Sequence, residues 1–93
     1  MIKSFGSRAT EDVFHDRQSP ELPATIQTGA RRKLLQIHLA TLLSDLRIPP
    51  GNRLEALKGR RAGQHSIRIN DQWRIVFRWT AAGAEDVAII DYH

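Results

Sequence analysis

The hydrophobic period of the chain changes once, at Pro49-Pro50-Gly51-Asn52. Before this break the apolar residues recur at helical spacing. Between Ala24 and Leu43, residues Ile26, Ala30, Leu34 and Ile37 form one ridge. Leu35, Leu39, Leu42 and Leu46 form a neighbouring ridge if the helix runs that far. Two adjoining ridges give a broad apolar face, suited to a helix lying across a sheet. Arg31-Arg32-Lys33 is expected on its exposed side. A shorter helix, capped by Ser7 or Thr10, is expected to run to about Asp16 with Val13 and Phe14 facing the core. Met1–Phe5 reads as a first strand. The segment from Gln18 to Pro23, with two prolines in four residues, reads as a connector into the long helix.

After the break the period is two. Arg53–Lys58 alternates as a strand, and Gly59–Gly63 is a loop. His65–Ile69 sets Ile67 and Ile69 on one face with Ser66 and Arg68 on the other. Asn70-Asp71-Gln72 is a hairpin turn. Trp73–Thr80 sets Trp73, Ile75, Phe77 and Trp79 against Arg74, Val76 and Arg78. Ala81–Glu85 is a further turn. Val87–Tyr92 is apolar on both faces, as a central strand would be. The order predicts an α+β fold in a single domain over residues 1–93. An N-terminal strand and two helices should pack on one face of a mainly antiparallel sheet of four to five strands. The helices should cover Ile67, Ile69, Trp73, Ile75, Phe77 and Trp79, leaving an arginine-lined face open.

Composition narrows the function. The chain has no cysteine, which removes disulfide scaffolds, thiolate nucleophiles and Cys-ligated zinc. No run of apolar residues is long enough to span a bilayer, and the N-terminus has no leader-like apolar stretch. No membrane is therefore expected as a partner, and the cytoplasm is the simplest compartment. The 93 residues carry a net charge of +4, and eleven of the fourteen cations are arginine. Residues 47–78 hold eight cations (Arg47, Arg53, Lys58, Arg60, Arg61, Arg68, Arg74 and Arg78) against Glu55 and Asp71, a local +6. A concentrated basic segment fits a polyanionic partner or plain solubility.

The four histidines, His15, His38, His65 and His93, show no zinc-site spacing, so neither metal nor cofactor is expected. His38 falls between the apolar ridges and reads as a helix–sheet interface residue. His65 is open between substrate contact and surface, and His15 reads as surface. Trp73 and Trp79 share a face with Ile75 and Phe77, which makes them core residues rather than base-stacking platforms. If the last strand is tied into the sheet, Tyr92 and His93 come near Lys58 and Arg74. A histidine, a tyrosine and two cations around one phosphate can cleave RNA without metal. A base takes the ribose 2′-hydroxyl proton, cations stabilise the phosphorane, and an acid protonates the leaving 5′-oxygen.

The segments Leu57-Lys58-Gly59, Asn70–Arg74 and Asp91-Tyr92-His93, with the opening Met1–Phe5, resemble the HigB toxins of the RelE/ParE superfamily, nearest to the GraT-like branch. The resemblance spans essentially the full length. It implies a ribosome-dependent mRNA endonuclease acting in the ribosomal A site, neutralised by a HigA-like helix-turn-helix antitoxin. Operator DNA would be met only through the antitoxin complex. It further implies that Lys58 and Arg74 contact the scissile phosphate and that Tyr92 and His93 complete the active site. Arg53, Arg60, Arg61, Arg68 and Arg78 would hold RNA. Where many HigB proteins read RLHPLKG, this chain reads RLEALKG, so Glu55 stands at the histidine position. His93 is then expected to carry the main proton transfer and Glu55 a secondary one. The alternatives are a ParE-like, non-enzymatic inhibitor of DNA gyrase and an RNA-binding module without chemistry.

Overall fold

The computed structural model describes residues 1–92, and His93 lies outside the described residues. Helix α1 (Arg8–Phe14) starts at Ser7, whose hydroxyl accepts from the Thr10 amide and so satisfies one of the first-turn donors. Helix α2 spans Ala24–Leu39. The strands are β1 (Glu55–Ala56), β2 (His65–Arg68), β3 (Trp73–Thr80) and β4 (Gly83–Asp91). They form an antiparallel sheet in the order β1-β2-β3-β4.

Met1–Gly6 lies along the outer edge of β4, with parallel bridges at Ile2–Ala84 and Phe5–Val87. Backbone bonds from Lys3 to Ala84 (2.7 Å) and from Gly6 to Val87 (2.8 Å) close that edge. Beyond it, the Ile89 amide donates to the buried Thr10 hydroxyl at 2.9 Å, so α1 takes over where the N-terminal segment leaves off. β4 is thereby an interior strand, with β3 on one edge and the N-terminal segment on the other. The expected Met1–Phe5 strand is present as bridges only.

The core lies between the helices and one sheet face. Val13, Ile26, Ala30, Leu34 and Ile37 meet Ile67, Ile75, Phe77, Ala84, Val87 and Ile89 there, with Trp73 and Trp79 packed around them. The first helical ridge is thus buried as its spacing predicts. The second is not, because α2 stops at Leu39 rather than Leu43. The Asp45 carboxylate accepts from the amides of Thr41 (3.0 Å) and Leu42 (2.9 Å), drawing the chain into a separate 3₁₀ turn, Leu43–Arg47. That turn, and not α2, delivers Leu46 to the core, while Leu39 and Leu42 stay exposed.

Lys33 also departs from expectation. It is buried, and its ammonium donates to the side-chain oxygen of the fully buried Asn52. Asn52 in turn donates to Gln36 Oε1 (3.0 Å) and Leu46 O (3.2 Å), and its carbonyl accepts from the Arg68 amide. The predicted strand Arg53–Lys58 contracts to two residues, Glu55 and Ala56. Arg53 before it has φ 47, a left-handed conformation that a strand does not contain.

Two irregularities shape β4. A bulge lies opposite Val76–Arg78, where Asp86 takes φ 54 and its amide is satisfied by the Ser4 hydroxyl at 2.9 Å. The preceding hairpin is tight, with Thr80 paired to Gly83. Gly83 has φ 138, and a Cβ there would stand 2.1 Å from the Met1 carbonyl oxygen. Gly83→Ala is therefore expected to detach the N-terminal segment and cost about 2 kcal/mol or more. A urea midpoint unchanged from wild type would contradict this.

Candidate active site

The sheet face away from the helices brings Glu55, Ser66, Arg74 and Tyr92 together. Register explains how. Glu55 pairs with Ser66, and Ser66 with Val76, so these side chains share one face. Arg68 pairs with Arg74 and Arg74 with Ile90 on the same face, and Tyr92 follows Ile90 by two residues. The β2–β3 turn fixes the end of β4. Asn70 Oδ1 accepts from the amides of Gln72 (2.9 Å) and Trp73 (2.8 Å). Gln72 then accepts from the Tyr92 amide (2.7 Å) and donates its side-chain amide to Asp91 (2.9 Å). Tyr92 is held by these bonds although its side chain is exposed.

Arg68 and Arg74 stand directly opposite, an arrangement that is destabilising when both charges face each other. The two side chains separate. Arg68 turns to Asp71 in the hairpin and forms an ion pair. Arg74 turns the other way, donating from Nε to Ser66 Oγ at 2.9 Å and from Nη2 to the Arg53 carbonyl at 2.7 Å. Its guanidinium carbon stands 5.2 Å from the centre of the Tyr92 ring, within cation–π range. The Tyr92 hydroxyl donates to Glu55 Oε1 at 3.2 Å. A cation, a phenol and a carboxylate are thus linked in one chain of contacts.

The other sequence-derived residues fall around this cluster. Lys58 is exposed at the head of the 3₁₀ turn Gly59–Arg61, and no hydrogen bond or ion pair joins it to Glu55, Arg74 or Tyr92 among the described residues. Arg60 and Arg61 are exposed on that turn, with Arg61 donating to Gln64. Arg78 is exposed on β3 and leans on Gly63, where a Cβ would meet its Nη1 at 2.8 Å. His93 is outside the described residues. His65 belongs to the helix-facing side, stacked on Phe77 with its Nδ1 buried and without a hydrogen-bond partner among the described residues, so it is not on the basic face. His38 sits at the interface as its wheel position predicts, its Nδ1 accepting from the Ile2 amide at 3.1 Å.

Sequence reasoning missed Ser66 and the Arg53 carbonyl. The period of two places Ser66 on the open face, but its bond to Arg74 depends on register. The carbonyl depends on a left-handed residue that nothing in the sequence marks. Two grooves of about 530 and 580 Å³, one beside α1 and α2 and one beside Leu39 and Trp79, include none of the clustered residues. The cluster lies on an open surface. Among the described residues no group of three or more His, Asp or Glu side chains could hold a metal ion, and no helix is long and apolar enough to cross a membrane.

Two helices on one side of an antiparallel sheet, with arginines and a tyrosine on the other, are consistent with the RelE-like class of small toxins. A family model described as the RelE-like toxin of the type II toxin–antitoxin system HigB matches residues 3–93. The chain is 41% identical over 80 residues to Toxin HigB-1 of Vibrio cholerae serotype O1, covering 85% of this chain and 84% of that one. It is 32% identical over 97 residues to Endoribonuclease HigB of Proteus vulgaris, covering 100% of each. The chain belongs to the HigB-like toxin family. As the toxin of a type II system, it has an antitoxin as its partner.

Proposed function

We propose that this toxin is an endoribonuclease that cuts mRNA in the ribosomal A site. The observation that carries the reading is the Arg74 guanidinium fixed over Tyr92, whose hydroxyl bonds to Glu55. Such a cluster offers a fixed cation for a phosphate beside groups that can move protons. The ribose 2′-oxygen attacks phosphorus, its proton passes to a base, and the bond to the 5′-oxygen breaks as an acid protonates it. Arg74 and Lys58 neutralise the charge that grows on the phosphorane oxygens. His93 carries the main proton transfer, Glu55 a secondary one, and Tyr92 completes the site. Arg53, Arg60, Arg61, Arg68 and Arg78 hold mRNA or ribosomal RNA, and none of these steps requires a metal.

A cluster that lies outside both grooves supports a substrate presented by a larger body, which the ribosome supplies. The whole chain acts as one toxin domain in the cytoplasm. A HigA-like helix-turn-helix antitoxin neutralises it, and operator DNA is reached only through that complex.

The test is translation in vitro with mapping of mRNA ends, comparing wild type with His93→Ala and Glu55→Ala. Wild type should yield discrete cuts within translated codons. His93→Ala should lose on the order of 10²-fold or more and Glu55→Ala about tenfold, within the range for general acid–base groups. Intact mRNA at inhibitory toxin concentration would overturn the nuclease reading and favour a non-enzymatic inhibitor. Cleavage that survives His93→Ala but vanishes in Glu55→Ala would reverse the division of labour.

A further inference from the structure

We infer that Ser66 and the backbone carbonyl of Arg53 form a clamp that positions Arg74 for catalysis, fixing one edge of its guanidinium and leaving the other for the scissile phosphate. The inference rests on the nuclease reading above for the role of Arg74, and on the geometry alone for the clamp.

A guanidinium carries five N–H donors in a rigid plane. Nε and Nη2 lie on the same side edge of that plane. Here both are engaged, Nε with Ser66 Oγ at 2.9 Å and Nη2 with Arg53 O at 2.7 Å. The side edge, which could otherwise grip a phosphate through two parallel bonds, is spent on the protein. Among the described residues Nη1 makes no hydrogen bond, which leaves the end-on edge formed by Nη1 and the second Nη2 proton available to a phosphate. Two bonds on one edge also fix rotation of the plane, which holds the ring contact with Tyr92.

Both acceptors are built for this task. Ser66 is fully buried on β2, and its neighbours in register are Glu55 and Val76, so its hydroxyl is fixed by the sheet. Burial makes its bond to a cation strong and its loss costly. The Arg53 carbonyl is aimed by the left-handed φ of 47, an unfavourable conformation for a residue with a side chain. The adjacent Asn52, buried in its own bonds to Gln36 and Leu46, anchors that conformation. Ser66 touches no reacting atom, so it is a positioning residue rather than a catalytic one.

The experiment has two independent readouts on the full chain. The first is the ¹H–¹⁵N resonance of Arg74 Nε–H, assigned by its disappearance in Arg74→Lys. In wild type it should exchange slowly with water, and in Ser66→Ala it should shift and exchange fast. Ser66→Thr, which keeps the hydroxyl, should restore it. The second is single-turnover mRNA cleavage on programmed ribosomes. Ser66→Ala should lower the rate about tenfold, short of the ~10²-fold that a 1 Å misplacement can cost, with ribosome binding unchanged. Ser66→Ala in an Arg74→Ala background should lower it no further.

Melting transitions check folding. Should Ser66→Ala not fold, Ser66→Cys, with a weaker acceptor of similar size, serves in its place. An unchanged Nε–H resonance in Ser66→Ala overturns the clamp itself. A lost resonance with full cleavage in Ser66→Ala, while Arg74→Ala is inactive, overturns the positioning role alone. Full cleavage in Arg74→Ala overturns the reading of Arg74 on which that role depends.

Discussion

Arg74→Lys should cut single-turnover mRNA cleavage by about 10²-fold, although the positive charge is kept, and Arg74→Ala by nearer 10³-fold. The charge is not what distinguishes Arg74, because Arg53, Lys58, Arg60 and Arg61 are cations too, and all four are exposed. Its distinction is a planar fork held at two points, by Ser66 and by the Arg53 carbonyl, with the Tyr92 ring alongside. A lysine ammonium has no edge to divide between protein and phosphate, and its four-carbon stem is free to swing toward Glu55. Charge developing on a phosphorane is best stabilised by donors already in place. The check is the cleavage rate at saturating toxin, with ribosome affinity measured in parallel. A rate for Arg74→Lys within about threefold of wild type would show that charge alone suffices, since even one misplaced positioning contact should cost more than that.

Much of this arrangement could be read before folding, and the reason is periodicity. The alternation in Trp73–Thr80 assigns Arg74 to the face opposite Phe77, and the core bears this out. The ridge Ile26, Ala30, Leu34 and Ile37 likewise fixes which side of α2 meets the sheet. The failures lie where a polar side chain overrides the pattern. Asp45 ends α2 early by taking two amides, and Leu39 and Leu42 are left outside. Lys33 looks like part of a solvated basic run, yet Asn52 offers it a buried acceptor from 19 residues away. The contacts that make a site of Glu55, Arg74 and Tyr92 are likewise long-range. Tyr92 reaches Glu55 across 37 positions and Arg74 reaches Arg53 across 21. Spacing along the chain carries no signal for such pairs, and only strand register brings them together.

The buried pair Lys33–Asn52 carries the second large effect, this one on stability. Asn52→Ala removes three side-chain hydrogen bonds and leaves an ammonium buried without its acceptor. The expected loss is about 3 kcal/mol, which for a domain of this size lowers the melting temperature by roughly 15 °C. Burial, with the Arg32 and Arg68 charges adding to it, holds the Lys33 pKa below its ordinary value of 10.5. The folded state therefore disfavours the charged lysine, while the unfolded chain keeps it charged up to about pH 10.5. The resulting penalty is full below the lowered folded value and fades as pH rises from there toward 10.5, so the contribution of Lys33 to stability grows in that alkaline window. In Lys33→Met that rise should vanish. Adding Lys33→Met to Asn52→Ala should recover about 1–2 kcal/mol, because the stranded charge is removed. Strictly additive losses would show that the ammonium is not what makes Asn52 costly to replace. The same variant reaches the active site through the backbone. Asn52 precedes Arg53, whose left-handed conformation aims a carbonyl at Arg74. Asn52→Ala should accordingly lose cleavage at temperatures where it is still fully folded, with the Arg74 Nε–H resonance shifted. A folded Asn52→Ala with wild-type cleavage would separate the two networks and show that the Arg53 conformation does not depend on the Asn52 side chain.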